Sequence, residues 1–242
     1  MEEARAFREL DYRDAGPTRE ERAAQPGLAR RYSDGKAISA RAHDLLVRFE
    51  VSSKARYEAR YRAPIWPKGA SGVTIGIGYD VGYTDPDVLK DDWQGLIPAA
   101  AITKLSDACG KKGDDAEVLV PFLSDVDVPW AAAEMQFQRM QKFVAGETLH
   151  SFPAARGLSD DAFGALVSLV YNRGGSLRSS PSDRLDRRRE MRAIRQLLQD
   201  GRAAEVPAQI RAMTRLWAGN ADARGLLDRR ELEARLFEAG IS

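Results

Sequence analysis

The sequence is poor in the residues that most often carry visible chemistry. It has one cysteine, Cys109, and two histidines, His43 and His150, in 242 residues. One cysteine excludes an intrachain disulfide framework, and a free Cys is usually a small buried hydrophobe. Two isolated histidines and one distant thiol do not supply the ligand set that a zinc hydrolase needs, and no metal is expected. No G-x-S-x-G elbow occurs. Gly76, Gly78 and Gly82 depart from the dinucleotide-binding spacing, and no strong helix pattern follows them, so no cofactor is expected. No apolar run approaches the ~18 residues of a membrane span, and membrane insertion is not expected. The first residues, "MEEARAFRELDYRD", have no apolar stretch of the kind a secretory signal carries. Synthesis in the cytoplasm without a signal peptide is the expectation. Charge of one sign is also missing: 37 basic and 36 acidic residues leave a net +1, so no nucleic-acid partner is expected. Arg187-Arg188-Arg189, flanked by Asp186 and Glu190, reads as a solvated helix face with i, i+4 pairs.

With 43% hydrophobic residues, the chain has enough apolar surface for a sizeable core. Residues 1–36 are polar, rich in Arg, Glu, Asp, Gly and Pro, and read as an N-terminal extension. A single compact domain is expected over 37–242. "AISARAHDLLVRFE" (37–50) places Ile38, Ala42, Leu45, Leu46 and Phe49 on one helical stripe. Residues 51–84 hold Tyr, Pro, Trp and Gly with a period-two run and read as a small β-region, with a turn at "WPKGASG" (66–72). Helical patterns follow. Asp85-Pro86 starts one helix, and Val128-Pro129 precedes another. Ser159 caps "DDAFGALVSLVYN", and two or three more helices fill 184–239. The fold class is α+β, mostly helical, with a small glycine-rich sheet near the N-terminal third.

Two places stand out chemically. Ala42, Leu46 and Glu50 lie at i, i+4 and i+8, so Glu50 continues the apolar face of its helix. A carboxyl group against an apolar surface tends to keep its proton, which is what a general acid needs. A solvated carboxylate at a fraying helix end is the other reading. The second place is "VTIGIGYDVG" (73–82). In a straight strand, Thr74, Gly76, Gly78 and Asp80 share one face, but Thr74 and Asp80 stand ~20 Å apart. A strand folded back at its glycines brings them together and leaves their side open. An ordinary hairpin with turn and packing glycines fits the spacing equally well.

"FE" closing an apolar helix, "TIGIGYDVGY" in a β-region, and "SLVYNRGGSL" ending a later helix together resemble the phage-type lysozyme superfamily, muramidases that cut peptidoglycan glycan strands. Thr74 falls on the family's threonine. Lys68 stands where the commoner branch places its aspartate, and Tyr79 where it places histidine. The pattern is closer to the pesticin-like branch, whose order is Glu, Thr, Asp, with the aspartate six residues after the threonine in "TIGIGYD". Glu50, Thr74 and Asp80 match that order. The resemblance covers roughly residues 37–240, with close matches in two segments. Glu58 lies near enough to compete with Glu50, which is preferred for its place on the apolar helix.

The resemblance implies a lysozyme-like catalytic domain over 37–242 and an N-acetylmuramidase acting on the β-1,4 bond between N-acetylmuramic acid and N-acetylglucosamine. Glu50 takes the role of general acid. Asp80 is base or charge stabiliser, and Thr74 positions water. Tyr79, Asn172 and Arg173 are the candidate substrate-binding residues. A helix C-cap is the competing reading of "NRGG". Inversion needs carboxyls ~6.5–9.5 Å apart, and ~5 Å indicates a covalent intermediate. A lytic transglycosylase and a non-catalytic peptidoglycan-binding relative are the alternatives. The implied partners are peptidoglycan and a cognate immunity protein. The implied setting is an antibacterial effector delivered to the periplasm by a secretion system, or an endolysin released at phage lysis. Ser168 reads as a packing residue, and the arginines of "RGLLDRRELEARLF" (224–237) as structural pairs.

Overall fold

The computed structural model describes residues 35–69, 71–179, 183–220 and 223–242. Of the polar segment expected over 1–36, all but Gly35 and Lys36 lies outside the described residues. The described chain is mostly helical with one small antiparallel sheet, an α+β fold. It divides into two compact units, residues 47–140 and residues 35–46 with 141–242.

Helix α1 (Ala40–Val51) begins where the Ser39 hydroxyl accepts the Ala42 N–H. Ala42, Leu45, Leu46 and Phe49 of the expected stripe are buried, Ala42 and Leu46 fully inaccessible, while Ile38 precedes the helix and is half-buried. A short helix, α2 (Lys54–Arg60), follows inside the stretch expected to be wholly β-region and turns. The seven residues are too few for a clear period. They are held by the Ser53 cap on Arg56 N–H and by Tyr57. Tyr57 is fully buried, donates to Val128 O at 2.8 Å and meets Trp130 edge-on.

The sheet pairs β1 (Thr74–Ile75) with β2 (Tyr79–Asp80). A 3-10 turn (Val81–Tyr83) leads into α3 (Pro86–Trp93), which Asp85 caps through Val88 N–H with Pro86 in the first turn. Then come α4 (Ala99–Ser106) and the single turn α5 (Asp114–Glu117). The long helix α6 (Trp130–Ser151) starts directly after Pro129. The core of residues 47–140 gathers Val73, Ile75, Ile77, Val81, Leu89, Trp93, Leu105 and Phe137, each at most 1% exposed.

In the second unit, α7 (Asp160–Arg173) is capped by Ser159, with Asp160 and Asp161 at the positive end of its dipole. Lys36 pairs with Asp160 and Arg41 with Asp161. Every residue from Ala162 to Arg173 is buried, Phe163, Leu166, Val167 and Val170 among them. Each of these apolar side chains contributes about 1.5–3 kcal/mol by leaving water. Helices α8 (Arg189–Gln199), α9 (Val206–Ala212) and α10 (Arg224–Ile241) complete the unit. The contacts between α7 and α10 are the densest between any two elements.

The arginine triplet differs from its expected solvated face. Arg188 is buried and donates to the carbonyls of Arg173 and Gly174, closing off the end of α7. Glu190 is buried too and receives Arg215 through two bonds of 2.6 and 3.0 Å. A run of like charges is therefore split between an interior clamp and a wet flank, because Arg189 stays exposed.

Candidate functional site

The hairpin settles how "VTIGIGYDVG" is arranged. The chain folds back over Gly76-Ile77-Gly78, with φ of +56° at Gly76 and +75° at Gly78, the left-handed region that only glycine enters without strain. Ile75 pairs with Tyr79, and Thr74 with Asp80. A straight strand would separate Thr74 from Asp80. The observed hairpin sets their Cα atoms opposite one another.

The backbone bonds show which kind of pair this is. Thr74 N–H donates to Ile65 O at 2.8 Å, and Ile65 N–H donates to Thr74 O at 3.0 Å. Both polar backbone groups of Thr74 therefore point to Ile65, away from Asp80. One rung further on, Val81 N–H donates to Val73 O. Thr74 and Asp80 are thus a non-hydrogen-bonded pair, the type in which facing Cα atoms are only about 4.5 Å apart and the side chains lie closest. Ile65, Thr74 and Asp80 form one row across three segments.

The next row on this face is Gly72 opposite Gly82, and the Asp80 carboxylate lies over it. Asp80 accepts Gly72 N–H at 3.1 and 3.2 Å and Gly82 N–H at 2.9 Å. A Cβ on Gly72 would stand 2.4 Å from Asp80 Oδ1 and 2.4 Å from Gly82 Cα. A Cβ on Gly82 would stand 2.5 Å from Lys111 O and 2.7 Å from Gly72 Cα. Two glycines in register make the slot that the carboxylate occupies, and no other residue fits either place without displacement. Gly72 also serves Thr74, whose hydroxyl donates to Gly72 O at 3.4 Å. Thr74 is 5% exposed and Asp80 is half-buried.

Glu50 sits in the last turn of α1 and is 4% exposed, in the same unit as Thr74 and Asp80. The solvated reading of this residue does not match its burial. Glu58, the competing glutamate, lies on the exposed face of α2 beside Lys54. Lys68 is exposed in the turn before the hairpin, with φ of +77°.

Tyr79 faces away from this row. It is buried, packs edge-on against Trp93 at 5.4 Å and donates its hydroxyl to Asp92 at 2.8 Å. Burial first, and then the Asp92 carboxylate, raise the phenol pKa well above its ordinary value. The residue braces the hairpin against α3.

Asn172 and Arg173 belong to the other unit and are 1% and 2% exposed. Asn172 Oδ1 accepts from Arg230 at 2.9 Å, and Arg173 donates to Arg187 O at 2.6 Å and lies over the Trp217 ring. Gly174 caps α7, its N–H donating to Val170 O. The C-cap reading of "NRGG" describes this helix end. Ser168 does more than pack: it donates to Glu233 at 2.6 Å. Glu233 in turn joins Arg229 and Arg230, so the arginines of 224–237 are structural pairs as expected. From α6, Glu147 and Ser151 grip a single residue, Glu147 accepting Gly175 N–H and Ser151 donating to Gly175 O.

The sequence reading missed Gly72, which it placed inside a turn. Its signal was register. Once the hairpin is centred on Ile77, residue 72 must oppose Gly82, and two opposed glycines beside an aspartate mark a carboxylate slot.

Chemically, the row offers an acceptor carboxylate beside a hydroxyl, both fixed by backbone groups. A family model described as a domain of unknown function (DUF8812) matches residues 46–150. That span includes Glu50, Thr74, Asp80 and both slot glycines. Among the curated proteins none matches the chain.

Proposed function

We propose that the chain is a peptidoglycan muramidase of the lysozyme-like kind, with Glu50, Thr74 and Asp80 as its catalytic residues. The observation that carries this reading is the pairing of Thr74 with Asp80 across the hairpin. It supplies the folded-back geometry that the Glu, Thr, Asp order requires. Glu50 is a buried carboxyl in the same unit, which suits a group that must deliver a proton to a leaving oxygen. Asp80, held by two backbone N–H groups, suits the other task, that of receiving a proton from water. Thr74 stands beside it to orient that water. Tyr79 enters the reading as support for the hairpin, and Asn172 and Arg173 as parts of a helix end. The biological setting that goes with this activity is an antibacterial effector or endolysin acting on the cell wall, with an immunity protein in a producing cell.

A second reading also has an observation in its favour. Asp80 caps the 3-10 turn Val81–Tyr83 through Gly82 N–H, a role complete without substrate. It describes a lysozyme-like protein that binds peptidoglycan and cuts nothing.

Lysis of purified cell walls, followed by turbidity, separates the two. The muramidase reading expects clearing by the wild type and loss of clearing in Asp80→Asn, with new reducing ends on muramic acid by mass spectrometry. Binding without release of fragments leaves the second reading. Anhydro ends replace the hydrolase with a transglycosylase.

A further inference from the structure

Within the muramidase reading, on which this step rests, we infer that Gly72 is a positioning residue that fixes the polarity of the site. Thr74 and Asp80 are the closest kind of cross-strand pair, and a hydroxyl beside a carboxylate ordinarily donates to it. Such a bond would consume the Thr74 proton and one Asp80 lone pair, leaving the two groups satisfied by each other. Gly72 engages both groups instead. Its N–H takes the carboxylate, at 3.1 and 3.2 Å, and its carbonyl takes the Thr74 hydroxyl proton, at 3.4 Å.

The consequence follows from counting hydrogens. A threonine hydroxyl has one hydrogen and an ionised carboxylate has none. With that hydrogen turned towards Gly72 O, the Thr74 hydroxyl and the ionised Asp80 carboxylate offer acceptor oxygens to a molecule that meets both. A molecule held by both gives two hydrogens, which water can supply from its single oxygen. Water held by its two hydrogens turns its own lone pairs away from Thr74 and Asp80, towards an attacked carbon. Glycine is needed for this because any Cβ at residue 72 enters the space of Asp80 Oδ1 and Gly82 Cα.

The experiment is steady-state hydrolysis of soluble peptidoglycan fragments by Gly72→Ala. Gly95→Ala serves as a strain control, because Gly95 has a φ of +78° with no atom within 4 Å of its Cβ and lies outside the hairpin. Misplacement of a reacting group by about 1 Å costs on the order of 10²-fold. Gly72→Ala is expected to lose kcat by that order while KM stays within about threefold. Its effect is also expected to be non-additive with Thr74→Val. Gly95→Ala is expected to lose melting temperature but keep kcat. A Gly72→Ala enzyme with wild-type kcat, or with additive effects, overturns the inference and leaves the muramidase reading intact. An inactive wild type overturns both.

Should Gly72→Ala fail to fold, amide proton shifts of the wild type decide. Gly72 and Gly82 amides that titrate together, and cease to in Asp80→Asn, support the shared carboxylate. Amides that do not follow Asp80 overturn it.

Discussion

Thr74 and Asp80 face each other across a three-residue turn, yet no backbone hydrogen bond links them, because both backbone groups of Thr74 are turned to Ile65. Their relationship is carried by side chains and by the glycine between them.

That separation of roles makes Thr74→Val informative. The substitution keeps the shape and removes the hydroxyl. The bond lost is long, at 3.4 Å, so unfolding free energy is expected to fall by less than about 1 kcal/mol. Turnover is expected to fall by at least about tenfold. Urea denaturation and lysis rates on the same preparation check both halves.

On the proposed muramidase reading, Glu50→Gln is expected to lower turnover by about 10²–10⁴-fold, the usual contribution of a general acid. Glu58→Gln is expected to leave it unchanged, because Glu58 is exposed and pairs only loosely with Lys54, at 3.9 Å. Equal activity of the two variants would remove Glu50 from the mechanism.

Glu190 gives a prediction in pH. Burial raises its pKa, but the Arg215 guanidinium, with its own backbone and Arg189, outweighs burial and holds the carboxyl below its usual value. A depressed folded pKa means stability that is present above the unfolded value, near 4.3, and lost as pH falls through the folded one. Glu190→Gln is expected to cost about 1.5–3 kcal/mol at pH 7. The gap to wild type is expected to narrow steadily below about pH 4. Thermal denaturation across pH 3–7 measures it, and a gap constant in pH refutes the assignment.

The α7–α10 interface rests on one carboxylate shared by two buried guanidiniums. Glu233 is fully buried and meets Arg229 at 3.1 Å and Arg230 at 2.9 Å. Glu233→Ala is expected to cost about 3–5 kcal/mol, the penalty for removing one partner of a buried ion pair. Ser168→Ala removes the bond its hydroxyl donates to Glu233 and the one it accepts from Arg229, and is expected to cost about 1.5–3 kcal/mol. Denaturant midpoints rank the two.

Much of this was legible in the sequence where local chemistry decides. Asp85-Pro86 and Ser159 announce their helices because the caps use neighbours in sequence. Glu50 was legible from i, i+4, i+8 spacing, and the fold-back of Thr74 onto Asp80 from glycines at the turn. What was not legible depends on partners far along the chain. Asn172 reads as a polar helix end, and only Arg230, 58 residues later, turns it inward. Arg188 looks like one of three solvated charges until the end of α7 is set beside it. Tyr79 adjoins Asp80 in sequence, but alternation sends it to Trp93 and Asp92. Helix α2 is too short to show a period, and one buried tyrosine defines its inner face.

The turn Gly76-Ile77-Gly78 acts as a ruler. Residues within it set only local strain, but its length sets every pairing beyond it. Adding or removing one residue slides β2 by one place and sends each of its side chains to the opposite face. Asp80 would leave Thr74, and a side chain would arrive opposite Gly72 in place of Gly82. A chain that keeps the pairing of Thr74 with Asp80 is therefore bound to the count of this turn, whatever stands at its middle position, Ile77.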